Sequence, residues 1–111
     1  MSFVESLYYI HVDVEVGRSV KLSCNTSLTS DTMWSYDNND DGYVDYVYWN
    51  GRIDKDKPQL SIKPTEAHHH ILVISDAVPT DTGLYNCYDG KGTRKVGYQL
   101  IIAGMRSSCI R

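Results

Sequence analysis

The chain has 111 residues, enough for one domain with a core of its own but not for two. A formal charge of -3 and a sequence pI of about 5.7 leave no basic excess, so nothing points to nucleic acid or to an anionic membrane. No apolar run approaches the roughly 20 residues of a membrane-spanning helix. The first residues do not read as a signal peptide, so an extracellular domain is expected here as a mature or trimmed piece.

Residues 8–16 alternate, with Ile10, Val12, Val14 and Val16 against His11, Asp13 and Glu15, which predicts a first strand half buried on one face. Gly17 turns the chain into a second alternating run, where Val20, Leu22 and Cys24 share one side and Ser19, Lys21 and Ser23 the other. Asn25-Thr26-Ser27 is an N-glycosylation sequon, which makes Asn25 the glycan candidate in a secretory pathway. A third strand is expected around Trp34 in residues 32–36.

From Asp37 to Asp45 the composition turns acidic. Asp37, Asn39, Asp41, Gly42 and Asp45 stand at the first, third, fifth, sixth and ninth places of a calcium loop, which needs converging oxygens and a sharp glycine turn. The twelfth place is Tyr48 instead of a bidentate glutamate, and strands flank the loop. A solvated turn is therefore the expectation, with no metal and no cofactor assigned, and calcium is left to a melting test.

Residues 44–52 are aromatic and β-branched and end at Asn50-Gly51, a strong hairpin signal. Residues 54–58 read as a charged loop, and residues 59–63 as a short strand that Pro64 stops or confines to an edge. His68-His69-His70 resembles a metal cluster, but on a strand only His68 and His70 share a face, and no cysteine or carboxylate completes a set. The triplet is read as the exposed start of a strand running through Ile71–Ile74.

Pro79-Thr80-Asp81 then makes a corner into a strand where Tyr85 and Cys87, two residues apart, point the same way. Asp89-Gly90-Lys91-Gly92 reads as a plain hairpin. The last strand, Thr93–Ile102, puts Val96, Tyr98, Leu100 and Ile102 on one face. The expected domain is 1–103, with 104–111 as a tail or linker.

Asp81-Thr82-Gly83-Leu84-Tyr85-Asn86-Cys87, taken with the strand ending at Cys24, resembles the immunoglobulin superfamily over residues 7–102, as a V-type or I-type domain. The resemblance implies an all-β sandwich of two antiparallel sheets. It matches Cys24 to the B-strand cysteine and Cys87 to its F-strand partner, a disulfide worth about 4 kcal/mol on the chain-entropy model. Cys109 is then left over as an unpaired or intermolecular thiol. Such a bond belongs to an oxidising compartment, so the expected location is the cell surface or the secreted pool.

Further matches are Tyr85 as the tyrosine corner, Asp81 and Gly83 in its turn, and Leu72 and Ile74 as inward E-strand residues. Trp34 takes the place of the indole packed on the disulfide. Trp49 is the rival, at the cost of a long loop after the second strand. The corner aspartate of this family commonly pairs with a basic residue, for which Arg52, Lys57 and Lys63 are the candidates. The hairpin so soon after Cys87 leaves no room for a diverse binding loop, which argues against an antigen receptor.

No nucleophile motif or phosphate loop is present, so the chain is not expected to be an enzyme. Nine tyrosines against one phenylalanine is a composition of contact surfaces. Met33 neighbours inward Trp34 and Tyr88 neighbours inward Cys87. With Tyr46 and Tyr48, which share a strand face by alternation, they make the sheet carrying strands C, C′, F and G the expected partner face. The reading is an extracellular recognition or adhesion module that binds another immunoglobulin-type domain or its own copy. The alternative is a receptor domain or secreted decoy that binds a soluble protein through loops.

Overall fold

A computed structural model of the chain describes residues 8–25, 32–38, 43–49, 51–64 and 69–103. Among these, nine strands form: β1 (Ile10–Glu15), β2 (Val20–Asn25), β3 (Met33–Asp37), β4 (Val44–Trp49), β5 (Arg52–Ile53), β6 (Leu60–Pro64), β7 (His69–Ile74), β8 (Gly83–Tyr88) and β9 (Arg94–Ala103). One sheet has the order β1-β9-β8-β3-β4-β5 and the other β2-β7-β6. The pairing of β1 with β9 is parallel, so the larger sheet is mixed where a purely antiparallel one was expected. The cause is connectivity: β1 is followed by a strand of the other sheet, so it cannot close a hairpin and joins the edge of its own sheet beside β9.

The core follows from alternation. Val20, Leu22 and Cys24 on β2 face Leu72 and Ile74 on β7, and across the sandwich they meet Trp34, Tyr85, Cys87, Leu100 and Ile102. Cys24 and Cys87 are disulfide-bonded across a sequence separation of 63, with Cα atoms 6.3 Å apart, tying β2 to β8. Trp34 is fully buried, and its ring stacks on that of Tyr98 at 6.3 Å between centroids. Trp49, the rival, is 61% exposed. Burying one indole and leaving the other wet decides which of the two belongs to the core.

The corner before β8 is fastened by hydroxyls. Tyr85 donates to the Asp81 carbonyl at 2.6 Å, and Tyr36 donates to the Thr82 carbonyl at 2.7 Å. The two rings lie 4.9 Å apart. Gly83 is needed for this approach, because a Cβ there would stand 2.6 Å from the Tyr36 ring and 2.8 Å from the Asp37 carbonyl oxygen. The expected basic partner of Asp81 is replaced by an amide. Gln59 donates to Oδ1 at 2.8 Å and the Val78 amide to Oδ2 at 2.9 Å. None of Arg52, Lys57 and Lys63 reaches it, and the Lys57 ammonium lies instead 5.3 Å from the Tyr36 ring centroid. Both carboxylate oxygens are thereby satisfied without a buried cation, which would carry its own desolvation cost.

Between β8 and β9 the Asp89 carboxylate accepts from the Lys91 and Thr93 amides, each at 2.9 Å, closing the short turn. The Thr93 bond is the main cause holding that carboxyl below its usual range.

Trp34→Ala should cost about 3–5 kcal/mol of stability, as for a large core aromatic, while Trp49→Ala should stay within about 0.5 kcal/mol. Denaturant titration of both variants checks this. Burial, then the Asp81 charge, pushes the Tyr85 hydroxyl well above its ordinary 10.0. Above pH 10 the unfolded chain releases this proton while the folded one keeps it, so stability is full below that pH and falls as pH rises. Tyr85→Phe should show a shallower alkaline fall in melting temperature.

Candidate protein-interaction face

Inward Trp34 and Cys87 are cross-strand neighbours, so the residues beside them turn out of the sandwich. On this outer face of the six-stranded sheet Met33 pairs with Tyr88, Ser35 with Asn86 and Asp37 with Leu84. Both Met33 and Tyr88 are half-buried. A bulge breaks the register of β3 against β4 between Trp34 and Ser35, and it decides the rest. Ser35 opposes Tyr46, which is 59% exposed, while Trp34 opposes Tyr48, which packs on the core.

The expectation that Tyr46 and Tyr48 share a face is therefore corrected. The bulge absorbs one residue, Val47 becomes fully buried, and Tyr48 swings inward to line a cleft with Ile53, Leu60, Ile62 and His70 between the sheets. Trp49, absent from the expected partner set, takes an exposed place beyond it. Its position directly before Asn50-Gly51, at the tip of a hairpin, is the sequence signal that marks it as solvent-facing.

Around Asn86 and Gly97 the outer face over β8 and β9 is already occupied. The Arg94 guanidinium donates through Nε to Asn86 Oδ1 at 2.7 Å and through Nη2 to the Tyr8 carbonyl at 2.5 Å. It stacks 4.6 Å from the Tyr9 ring centroid, and Asn86 donates in turn to the Tyr9 hydroxyl at 3.3 Å. Gly97 makes the space, since a Cβ on it would collide with the Arg94 guanidinium and lie 2.6 Å from Asn86 Oδ1. Tyr8 and Tyr9, just before β1, are thus held against β8 and β9. Over β3 and β4 the face is open, and there Val44, Tyr46 and Trp49 are exposed. Beneath them the Ser35 hydroxyl is fully buried, with no hydrogen-bond partner among the described residues.

Asn25 is exposed on the outer side of β2, in the other sheet, together with Lys21 and Ser23. The rest of its sequon lies outside the described residues. So do Asn39, Asp41 and Gly42 of the calcium-like spacing, whose first and ninth places, Asp37 and Asp45, lie on antiparallel β3 and β4, Asp37 paired with Val44 and Asp45 with Tyr36. His68 also falls outside, and His70 Nδ1 is 3.0 Å from the Thr32 hydroxyl.

The family model of the immunoglobulin V-set domain matches residues 10–102. The chain belongs to the immunoglobulin V-set family. This chooses V-type over I-type and makes β3, β4, β8 and β9 the domain's C, C′, F and G strands. No curated protein matches the sequence significantly.

Among solved structures, the V-set domain is similar to a chain of the ZIG-8–RIG-5 IG1–IG1 heterodimer at 20% identity, with a TM-score of 0.70, covering 93% of this chain and 90% of that one. It is also similar to a chain of the ZIG-8 IG1 homodimer at 20% identity and a TM-score of 0.72, covering 94% and 87%. A third likeness is to a chain from a structure concerned with T cell specificity and activation by the bacterial superantigen toxic shock syndrome toxin-1, at 21% identity and a TM-score of 0.68, covering 84% and 92%. Likeness at this level shows the fold.

Gly97→Ala should displace the Arg94 side chain without unfolding the sheet, at a cost of about 1–2 kcal/mol. Because the same contacts are lost, Gly97→Ala and Arg94→Ala should combine to much less than their sum in a double-mutant cycle by denaturant unfolding.

Proposed function

We propose that this V-set domain is an extracellular recognition module that binds another immunoglobulin-type domain, including a second copy of itself, through the open C and C′ half of its six-stranded sheet. The observation that carries the proposal is the exposure of Tyr46 and Trp49 together on one strand, beside the Met33 and Tyr88 pair. Large aromatic side chains left in water contribute little to the fold, yet they are the residue types that dominate interface energetics. The homodimer and heterodimer among the similar structures lend support. Asn25 lies on the other sheet, so a glycan there would cover the opposite face and leave this one clear. The disulfide fits an oxidising location.

Tyr46→Asp and Tyr88→Asp should each weaken self-association or partner binding more than tenfold, since a buried aromatic anchor carries about 2 kcal/mol or more. Their melting temperatures should stay near that of the parent. Tyr48→Asp, which charges a residue packed on the core, should instead lower the melting temperature. Substitutions at Lys21 and Val73, on the opposite sheet, are the controls. Light scattering over a concentration series and titration against candidate partner domains read the effect, and loss of binding at Lys21 and Val73 alone would move the interface to the other sheet.

A further inference from the structure

The register lays the outer face of the larger sheet out in rows. Gly97, Asn86, Ser35 and Tyr46 stand side by side on β9, β8, β3 and β4. Tyr88 and Met33 form the row nearer the turn between β8 and β9, and Leu84 and Asp37 the row on the other side. The Arg94 guanidinium lies over Gly97, at one end of the middle row. It is held there by Asn86 Oδ1, the Tyr8 carbonyl and the Tyr9 ring, all of them neutral. These contacts use two of the five N–H groups of an arginine, and no described carboxylate pairs with it. Arg94 is also the cross-strand neighbour of Tyr88, so a partner that covers that ring takes the cation out of water. Such a partner must bring a negative charge, because a desolvated cation without one is costly.

Resting on the partner face proposed above, we propose that the domain pairs with a second copy of itself about a two-fold axis in that face, setting the Arg94 guanidinium of each copy on Asp37 of the other and Tyr88 of each on Tyr46 of the other. From the seat over Gly97 to Asp37 is two strand spacings across and one row along, about 10 Å by about 7 Å. From Tyr88 to Tyr46 the step is the same, in the same direction. The midpoints of the two steps lie one spacing and one row apart, on a line close to a right angle with both. That is the condition for a single two-fold to exchange the ends of both pairs, as an isologous contact requires. A foreign domain could offer a carboxylate to Arg94, but its aromatic contacts would not follow from the same displacement. Asp37 faces outward with Leu84, half-buried, and Tyr46 is 59% exposed.

The test is self-association of the domain, followed by light scattering and sedimentation over a concentration series. The parent should dimerise, and the dimer should weaken with added salt. Asp37→Lys and Arg94→Glu should each weaken it more than about tenfold, because each sets like charges against one another. Mixed in equal amounts, the two variants should recover association to within about threefold of the parent, since in the mixed dimer both contacts again join opposite charges. Asp45→Lys makes the same charge change on a residue that opposes inward Tyr36, and should alter association less than about twofold. Should Arg94→Glu fail to fold, Asp37→Asn and Arg94→Gln take its place, each weakening association about fivefold and the two together no more than one alone. A mixture no stronger than its components, or additive effects in that cycle, overturns the pairing. A parent that stays monomeric overturns it too, and leaves the face to a different partner domain. If the charge variants have no effect while Tyr46→Asp abolishes association, the pairing is wrong and the face stands. If the mixture recovers association while Tyr46→Asp leaves it unchanged, the two-fold is overturned together with the face proposed above.

Discussion

The covalent tie between Cys24 and Cys87, packed against Trp34, sets the parity of β8 and β3, the central strands of the sheet that carries the proposed face. Because Cys87 must point inward to reach β2, Tyr88 must point outward. Trp34, opposite Cys87 in the register, must point inward to cover the bond, and Met33 follows Tyr88 to the other side. A side-chain period of two converts one buried sulfur into the orientation of a whole sheet. The bond also closes a long loop in the unfolded chain, worth about 4 kcal/mol on the chain-entropy model. For a domain of this size that is a large share of the total stability.

The tyrosines divide according to what their hydroxyls can reach. Tyr36, Tyr85 and Tyr98 place their rings in or against the core and donate to the backbone carbonyls of Thr82, Asp81 and Ser23. A phenylalanine would fill the same space but would leave those carbonyls short of a donor where the two sheets meet. Tyr8, Tyr43 and Tyr46 are largely in water. The tyrosine excess therefore has two causes, one structural and one on the surface, and composition alone merges them.

What the sequence disclosed was whatever depends on alternation and turn chemistry. The inward set on β2, the corner at Asp81–Cys87, the Asn50-Gly51 hairpin and the outward turn of Met33 and Tyr88 all follow from local rules. The misplacement of Tyr48 has a different origin. Two residues of β4 oppose one of β3, and nothing within residues 44–49 announces which of Tyr46 and Tyr48 the slip will turn inward. Bulges answer to the neighbouring strand and to sheet twist, so they escape a reading of one segment at a time. The partner of Asp81 was missed for a related reason. Gln59 and three basic residues are all near enough in sequence, and only the three-dimensional path of the turn decides which arrives. The Arg94 clamp joins residues 86 apart from Tyr8, beyond any local pattern.

Two independent features then push the open apolar surface to one side of the sheet. The clamp of Arg94 on Tyr9 and Asn86 covers the part of β8 and β9 around Asn86, and the bulge withdraws Tyr48 from the part over β4. What stays uncovered is Tyr46 and Trp49 at the margin of the sheet, where β5 is too short to cover the edge. A long, flat apolar edge would invite indiscriminate strand pairing. Here the edge is brief and bordered by Asp45, Arg52, Asp54, Asp56 and Lys57, charges that repel an unmatched strand while leaving the rings accessible. A partner must therefore bring complementary charge to reach the aromatics. The charges bordering the edge then act as a filter on which surface can use those rings, and specificity comes as much from what they exclude as from what the rings attract.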